Sequence, residues 1–299
     1  MTKSPAETYR AGQVTIVGRP NVGKSTLLNR LIGTKVSITS SRPQTTRHRI
    51  LGVVTHEDAQ LVFLDTPGYQ IAQGGALNKL MNRAVTESLD ATDAVLWLVE
   101  ALQFGAEDKQ VLQLLPKTTP VILAINKIDK IADKSRLLPF IERVSQAFRF
   151  SEVMPISASK GTQLPKLLEV LKSHLPVSPP AFDSDALTDR SERFLASEFL
   201  REKLFRRLGE ELPYATAVSV ESFELKGEVR HIHATIVVSK ASHKAIVIGK
   251  NGEKLKTIAT EARIDMEKLF GGKVFLDVWV RVRSGWMDSA RDLKSLGYH

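Results

Sequence analysis

A glycine-rich loop near the start of the chain has the spacing of a phosphate-binding site. Residues 18–25 read Gly-Arg-Pro-Asn-Val-Gly-Lys-Ser, which fits G-x-x-x-x-G-K-S between an apolar run and a helical pattern. Such a loop turns backbone N–H groups toward phosphate oxygens, and the following helix N-terminus adds positive potential. In this pattern Lys24 contacts the β- and γ-phosphates and the Ser25 hydroxyl binds Mg²⁺. The expected phosphate-site residues are Gly18, Arg19, Pro20, Asn21, Val22, Gly23, Lys24, Ser25 and Thr26.

A second motif has the chemistry to select the base. Residues 126–129 read Asn-Lys-Ile-Asp and directly follow the apolar run 121–125. A carboxylate at Asp129 can accept two hydrogen bonds from the N1–H and N2–H₂ groups of guanine, whereas adenine offers no such donor pair. The motif therefore predicts GTP in preference to ATP, and residues 156–158 are expected to bring backbone amides near the guanine O6. The expected base-site residues are Asn126, Lys127, Asp129, Ser157, Ala158 and Ser159.

A third motif, Asp-Thr-Pro-Gly at residues 65–68, closes another apolar run. Asp65 is expected to hold the Mg²⁺ shell through water, and the Gly68 amide is expected to contact the γ-phosphate. A threonine in the polar segment 33–49 could complete the shell when a γ-phosphate is present. Spacing does not separate Thr45 from Thr46, and Thr46 is preferred. The expected nucleotide contacts are Asp65, Thr66, Pro67 and Gly68, the metal ligands Ser25, Thr46 and Asp65, and the catalytic residues Lys24, Asn21, Thr46 and Gly68.

These motifs need a sheet that brings strand ends together. Short apolar runs alternate with helical patterns through the first part of the chain, which predicts an α/β domain with a mostly parallel, doubly wound sheet covered on both faces. The carboxyl ends of such strands form the ligand-binding edge. Residues 48–55 are a further strand and a candidate antiparallel edge. The predicted buried strands are residues 14–17, 61–64, 94–99, 121–125 and 153–156.

The second half of the chain follows a different order. Residues 176–189 are rich in proline, serine and aspartate without periodicity, which indicates a linker. We predict a nucleotide-binding domain at residues 10–176, a linker at 177–189 and a smaller α+β domain at 190–299. The charged run 201–207 on the first helix of that domain is expected to face solvent, or a membrane surface.

A second glycine loop, Gly249-Lys250-Asn251-Gly252, lies between an apolar segment and an amphipathic helix. Small residues in such a G-x-x-G loop let phosphates of single-stranded RNA approach the backbone amides. Lysines surround the loop, with Glu253 the opposing charge in that stretch. The expected RNA-binding residues are Gly249, Lys250, Asn251, Gly252, Lys244, Lys254 and Lys256.

Composition limits the classes of protein that fit. The chain has 299 residues with 42% hydrophobic and 25% charged residues, which excludes a mainly disordered or fibrous protein. No apolar run has the ~18 residues of a membrane span, and residues 1–13 lack the apolar stretch of a secretion signal. Zero cysteines exclude disulfides, and the net charge of +9 is compatible with a polyanionic partner. We expect a soluble cytoplasmic protein.

The motifs of the first half, in this order on these strand ends, resemble a small GTPase domain. Ras-like members carry a water-orienting glutamine after the D-x-x-G glycine, but Tyr69 stands there and Gln70 is one residue late. Slow intrinsic hydrolysis is therefore expected. Asn21 resembles the asparagine of potassium-dependent bacterial GTPases, which makes K⁺ a candidate ion; the alternative is that Asn21 only fills a loop position.

The predicted element order of the second half is helix, strand, strand, helix, G-x-x-G loop, helix and strand, which resembles a type II KH domain. Together with residues 44–49 (Gln-Thr-Thr-Arg-His-Arg), 280–286 and 296–298, it makes the whole chain similar to the Era family. The resemblance implies a monomeric GTPase that binds single-stranded 16S rRNA near its 3′ end and assists assembly of the small ribosomal subunit. It also implies peripheral association with the inner membrane in some members. Two alternatives stay open: an RNA-binding module whose nucleotide site only stabilises the fold, and a GTPase of tRNA modification or membrane processes with a protein-docking second domain.

Overall fold

A computed structural model describes residues 8–71, 74–209 and 212–298 of the protein. Its contacts divide these residues into two units. The first unit holds the described residues up to Ser37, those from Thr46 to Ile71, and Met81–Asp189. The second unit holds Ile38–Thr45, Gly74–Leu80 and the described residues from Arg190 onward. The prediction for residues 1–13 falls partly outside the described residues.

The first unit is built on a six-stranded sheet in the order β2-β3-β1-β4-β5-β6. All neighbouring strands are parallel except β2 and β3, which form an antiparallel pair at the edge. The predicted mostly parallel sheet with an antiparallel edge is confirmed. Its strands are β1 (Arg10–Val17), β2 (Ile50–Thr55), β3 (Ala59–Asp65), β4 (Ala94–Glu100), β5 (Val121–Asn126) and β6 (Glu152–Pro155).

Burial explains why these runs form strands. Every residue of β3 and β5 is buried, because helices cover both faces of a parallel sheet. Trp97 on β4 is fully buried and stacks on Phe150, with the ring centroids 5.7 Å apart. The helices of this part of the chain are α1 (Lys24–Ile32), α2 (Ala76–Asp90), α3 (Ala106–Leu112), α4 (Leu137–Ser145) and α5 (Leu164–Ser173). Helix α2 begins within the segment that clusters with the second unit.

The second unit contains a three-stranded sheet in the order β7-β8-β9. Strands β7 and β8 are antiparallel, whereas β8 and β9 are parallel. Its elements are α6 (Glu192–Arg207), β7 (Thr216–Lys226), β8 (Val229–Val238), α7 (Ala241–Ile248), α8 (Glu253–Phe270), β9 (Lys273–Val282) and α9 (Ala290–Ser295). The order from α6 to β9 is the one predicted, and α9 is an addition that the sequence analysis did not predict.

Alternation along the strands decides which face of this sheet is buried. Ile232 and Ile236 on β8 are fully buried in one cluster with Phe199 of α6 and Ile258 of α8. On the opposite face of β9, Phe275 and Trp279 are exposed by 51% and 68%. The helices therefore cover one face of the sheet, and the β9 side of the other face is open.

The expectation that the charged run 201–207 faces solvent is wrong for residues 201–205, which are buried, whereas Arg206 and Arg207 are exposed. Arg201, Glu202 and Lys203 are all buried. Each of these charges has an opposite charge within reach, which is the condition for burying it. The Arg201 guanidinium donates to both carboxylate oxygens of Glu198, at 2.7 and 2.6 Å. Lys203 Nζ lies 2.6 Å from Asp265 Oδ2.

No helix among the described residues has both the length and the apolar composition needed to cross a membrane.

Truncation of a buried ring should lower stability much more than truncation of a ring on the exposed face of the second sheet. Phe199, which is 2% exposed, fills the core beside Phe270, so Phe199→Ala should lower the free energy of unfolding by about 3–5 kcal/mol. Phe275→Ala removes the same ring from an exposed position and should cost far less. Denaturant unfolding of the three proteins measures both effects, and equal losses would contradict the assignment of the buried face.

Candidate functional site

The loop between β1 and α1 is shaped by close backbone contacts. Gly23 has a φ of 103°, and a Cβ built on it would lie 2.4 Å from Asn126 Nδ2. A side chain at this position would therefore strain the backbone and displace Asn126. At Gly68 a larger residue is excluded by space and not by the φ angle, because a Cβ built there would lie 2.7 Å from the Cα of Pro20. The loop thus packs directly against the ends of two other predicted motifs.

Lys24 is the first residue of α1 and is 6% exposed. Its ammonium group donates to the carbonyl oxygens of Gly18 and Arg19, at 2.9 and 3.0 Å. Burial lowers the pKa of Lys24 from the usual 10.5 to about 8, although the nearby Asp65 carboxylate opposes the shift. The charge of Lys24 is thus held by two carbonyls that an incoming phosphate can replace.

A cluster of oxygens lies beside the start of α1. The Ser25 hydroxyl donates to Asp65 Oδ2 at 2.6 Å and lies 2.7 Å from the Thr46 hydroxyl. Ser37, which the sequence analysis missed, donates to the same carboxylate oxygen at 2.9 Å. Burial raises the pKa of Asp65, and these hydroxyl donors and Lys24 counteract the rise.

This cluster has the donors that Mg²⁺ prefers, because all of them are oxygens. The Asp65 Oδ1 atom is buried and has no hydrogen-bond partner among the described residues. An orphaned carboxylate oxygen of this kind is suited to a cation or its water. Thr45, the open alternative to Thr46, is engaged elsewhere, since its hydroxyl lies 2.5 Å from Ser40 Oγ and donates to Arg42 O.

The ends of β5 and β6 are joined through Asn126. Its side chain donates to Val22 O at 2.8 Å and accepts from the Ala158 amide at 2.9 Å. Asp129 is exposed, and the Ser157 hydroxyl donates to its Oδ1 at 2.5 Å. This bond lowers the pKa of Asp129. An ionised, oriented carboxylate is thus open to a ligand, although the Ala158 amide, expected near the guanine O6, bonds to Asn126 here.

Glu100, at the end of β4, is a further residue that the sequence analysis missed. Its Oε2 lies 2.6 Å from Lys127 Nζ and 3.5 Å from Arg19 Nη2. The Arg19 guanidinium also pairs with Asp108 at 3.3 Å. Its position could have identified it as a candidate site residue, because Glu100 ends a parallel strand at the same edge of the sheet as the motifs.

The position after Gly68 holds no water-orienting group. The Tyr69 ring packs on the hydrophobic cluster that contains Trp97. The backbone of Gln70 is fixed by Asn82, which accepts from its amide at 3.3 Å and donates to its carbonyl at 2.8 Å. Asn21 is exposed in the phosphate loop with a φ of 64°.

The second glycine loop joins α7 to α8 in the second unit. Lys250–Gly252 form one short 3₁₀ turn, and Asn251 has a φ of 52°. A Cβ on Gly249, whose φ is 73°, would lie 2.7 Å from the Lys254 Cβ. The lysines at 244, 250 and 256 are exposed, and Lys254 is partly buried. The loop presents small residues and positive charge at the N-terminus of α8.

Comparisons with known proteins match a different family model to each half of the chain. A family model described as 50S ribosome-binding GTPase matches residues 13–127, and one described as KH domain matches residues 211–287. "GTPase Era" of Nitrosomonas eutropha is 54% identical over 293 residues, which cover 98% of this chain and 99% of that protein. The chain belongs to the Era family of GTPases. "GTPase Era" of Chromobacterium violaceum is 55% identical over 297 residues, 99% of each chain.

Solved Era structures have the same fold. An Era variant of Aquifex aeolicus bound to GDP and AlF₄⁻ matches with a TM-score of 0.93 and 38% identity, covering 97% of this chain and 99% of that one. Era in complex with MgGDPNP and nucleotides 1506–1542 of 16S ribosomal RNA matches with a TM-score of 0.94, the same identity and the same coverage. The predicted P-loop GTPase domain followed by a KH domain is confirmed.

The buried ammonium of this Era-family protein should make nucleotide binding take up protons at alkaline pH. Lys24 has a pKa of about 8 without nucleotide, and phosphate charge favours its protonated form. Binding of MgGDP should take up about 0.1 proton at pH 7.0 and about three quarters of a proton at pH 8.5. Calorimetry in buffers of different ionisation enthalpy measures this uptake.

The same shift has a defined sign for stability. Between pH 8 and 10.5 the unfolded chain holds a proton on Lys24 that the folded, nucleotide-free protein has lost. The contribution of Lys24 to stability therefore rises as the pH rises through this window.

Equal proton uptake on MgGDP binding at pH 7.0 and at pH 8.5 would contradict the lowered pKa of Lys24.

Proposed function

We propose that the protein hydrolyses GTP at the cluster formed by Ser25, Thr46 and Asp65 next to Lys24. The observation that carries the proposal is the short chain of contacts from Thr46 Oγ1 to Ser25 Oγ, at 2.7 Å, and on to Asp65 Oδ2, at 2.6 Å. These residues come from three separate motifs. Their convergence beside a buried ammonium supports one catalytic site rather than three independent structural turns.

Each group has a part in this proposal. Lys24 exchanges its carbonyl partners for the β- and γ-phosphates, and the loop amides hold the phosphate oxygens. Ser25 and Thr46 would ligate Mg²⁺ directly, with Asp65 acting through water; when bound, the ion neutralises phosphate charge. The Gly68 amide would contact the γ-phosphate. Because Tyr69 packs into a hydrophobic cluster, intrinsic hydrolysis is expected to be slow.

The Asp129 carboxylate would read the base in this site. It is exposed, and the Ser157 hydroxyl orients it. Asn126 would link the base to the phosphates, because it bonds to Val22 of the phosphate loop and to Ala158. The same carboxylate would accept from both N1–H and N2–H₂ of guanine, which supports GTP as the substrate in preference to ATP.

Replacement of this carboxylate should change the base preference. Asp129→Asn should weaken GTP binding about 100-fold or more, because two charge-assisted hydrogen bonds are lost. Binding of xanthosine triphosphate should improve, since its C2 oxygen requires a donor. Asp133→Asn is the matched control, because Asp133 is a nearby exposed carboxylate that caps a short turn. Competition binding measures all three nucleotides, and equal affinity of the unmutated protein for ATP and GTP would refute guanine selection.

For the second unit, we propose binding of single-stranded 16S rRNA near its 3′ end. The support is the Era complex with nucleotides 1506–1542, which matches nearly the whole chain. The loop at residues 249–252 offers small residues, backbone amides and flanking lysines, as a KH clamp requires. The family model whose description mentions the 50S subunit matches only residues 13–127, so it does not bear on this loop.

This RNA supports a role in assembly of the small ribosomal subunit, in which GTP state and RNA binding are linked. A cytoplasmic location follows from that role. We propose that the two activities belong to residues 10–176 and 190–299, which are joined by a linker at residues 177–189.

Negative charge in the clamp should abolish RNA binding. Lys250→Asp combined with Asn251→Asp places carboxylates against the RNA phosphates, so affinity for a short single-stranded RNA should be lost. Both side chains are exposed, so the fold should persist. Titrations at several salt concentrations measure the affinity, with GTP binding measured beside them.

Two further variants make this test specific. Lys254→Ala should weaken all RNA sequences alike and reduce the salt slope by about one unit. Lys268→Asp adds negative charge near the far end of α8 and should have little effect. If the double aspartate variant binds RNA normally, the loop is only a turn, and the protein-docking role of the second domain is favoured.

A further inference from the structure

One side chain of α2 holds the backbone that follows the Asp-Thr-Pro-Gly motif. Asn82 Oδ1 accepts a hydrogen bond from the Gln70 amide at 3.3 Å. Asn82 Nδ2 donates to the Gln70 carbonyl oxygen at 2.8 Å. Both residues belong to the first unit, which also contains the oxygen cluster around Asp65. Both polar backbone groups of Gln70 are therefore bound by the same side chain.

The pairing requires the side-chain amide of an asparagine. An amide carries an oxygen that accepts and an NH₂ group that donates, whereas an ionised aspartate of the same size can only accept. Asn82 is half-buried, so water competes with these two bonds less than it would at an exposed position. Residue type and geometry thus both indicate a specific contact between Asn82 and the Gln70 backbone.

Helix α2 gives Asn82 a rigid base. Val85, on the next turn of the helix, is fully buried in the cluster that contains Trp97. The Ser88 carbonyl oxygen accepts a hydrogen bond from the Thr15 hydroxyl of β1 at 2.8 Å. These residues all lie in the first unit. A side chain on a packed helix is held more precisely than one on a loop. Asn82 can therefore fix the position of a neighbouring segment.

The contact bears on Gly68, which lies shortly before Gln70 in the chain. Gly68 has no side chain, so the direction of its amide depends on what holds the adjacent backbone. Gly68 itself packs against Pro20 of the phosphate loop, because a Cβ built on it would lie 2.7 Å from the Pro20 Cα. The Tyr69 ring packs on a hydrophobic cluster, and Asn82 binds Gln70. Three successive residues are thus held by three different parts of the first unit.

We propose that Asn82 is a positioning residue for the Gly68 amide, acting through the backbone of Gln70. The inference rests on the proposed function, in which that amide contacts the γ-phosphate. GDP has no γ-phosphate, so this contact favours the triphosphate alone. Because Tyr69 stands in place of a water-orienting glutamine, the segment offers its backbone to the γ-phosphate rather than a glutamine side chain. Asn82 thereby contributes to GTP recognition and hydrolysis without contacting the nucleotide.

Removal of the Asn82 amide should affect the triphosphate state selectively. With Mg²⁺ present, Asn82→Ala should reduce the preference for guanosine 5′-(β,γ-imido)triphosphate over GDP about fivefold, because the backbone that carries the Gly68 amide loses two hydrogen bonds. The single-turnover rate of GTP hydrolysis should fall by a similar factor, while GDP affinity stays unchanged. Asn82→Asp keeps the side-chain size but cannot donate to the Gln70 carbonyl, so the preference should fall at least as far.

Thr86→Ala is the matched control on the same helix. Thr86 is exposed one turn beyond Asn82, and its hydroxyl donates to the Arg83 carbonyl within α2. This variant should leave the preference and the rate at the wild-type level. Hydrogen exchange of the Gln70 amide, followed by NMR in the GDP state, measures the contact itself. It should be faster in Asn82→Ala than in the wild type or in Thr86→Ala.

These measurements separate the inference from the proposed function. If the Gln70 amide exchanges faster in Asn82→Ala while the preference and the rate are unchanged, the contact is structural only and the positioning role falls. Unchanged exchange, equal losses of affinity for both nucleotides, or equal effects of Asn82→Ala and Thr86→Ala would also overturn it. If the unmutated protein neither prefers the triphosphate nor hydrolyses GTP, the proposed function falls, and the inference with it.

Discussion

The buried carboxylate of Asp65 is the group around which the first unit arranges its functional edge. It ends a strand in which every residue is buried, so its charge must be balanced by protein groups or by a cation. Ser25 at the start of α1 and Ser37 beyond the end of that helix both donate to it. Lys24 adds an opposing charge nearby. The Asp65 carboxylate thus connects the end of β3 to the start of α1 and to the segment that follows α1.

The parts of this arrangement that depend on local pattern could be predicted from the sequence. Continuous apolar runs predicted the parallel strands, because strands buried on both faces have no polar alternation. Residues 48–55 were a candidate antiparallel edge, and β2 (Ile50–Thr55) occupies that place. Asp65 ends β3, Asp129 follows β5, and Lys24 and Ser25 begin the helix that follows β1, so all four lie on the connections at the carboxyl ends of the strands.

Other features depend on pairing across the fold, and no local pattern contains that information. Ser37 and Glu100 are ordinary polar residues until the sheet brings Asp65, Arg19 and Lys127 beside them. The charges at 201–203 resemble a solvent-exposed helix face in the sequence. Their burial depends on partners that include Asp265 on α8, which pairs with Lys203, and the sequence of α6 does not reveal that contact. Thr45 and Thr46 could not be separated by spacing, since their difference lies in which hydroxyl reaches Ser25.

Glu100 stands between the phosphate loop and the base motif, with Arg19 on one side and Lys127 on the other. Its carboxylate is mostly buried, so any movement of one cation alters the electrostatic balance felt by the other. Substitutions in the two motifs should for this reason be non-additive, since residues that share a partner couple energetically. In the proposed site, the base and the phosphates of one nucleotide would then contribute to affinity jointly and not as two independent terms.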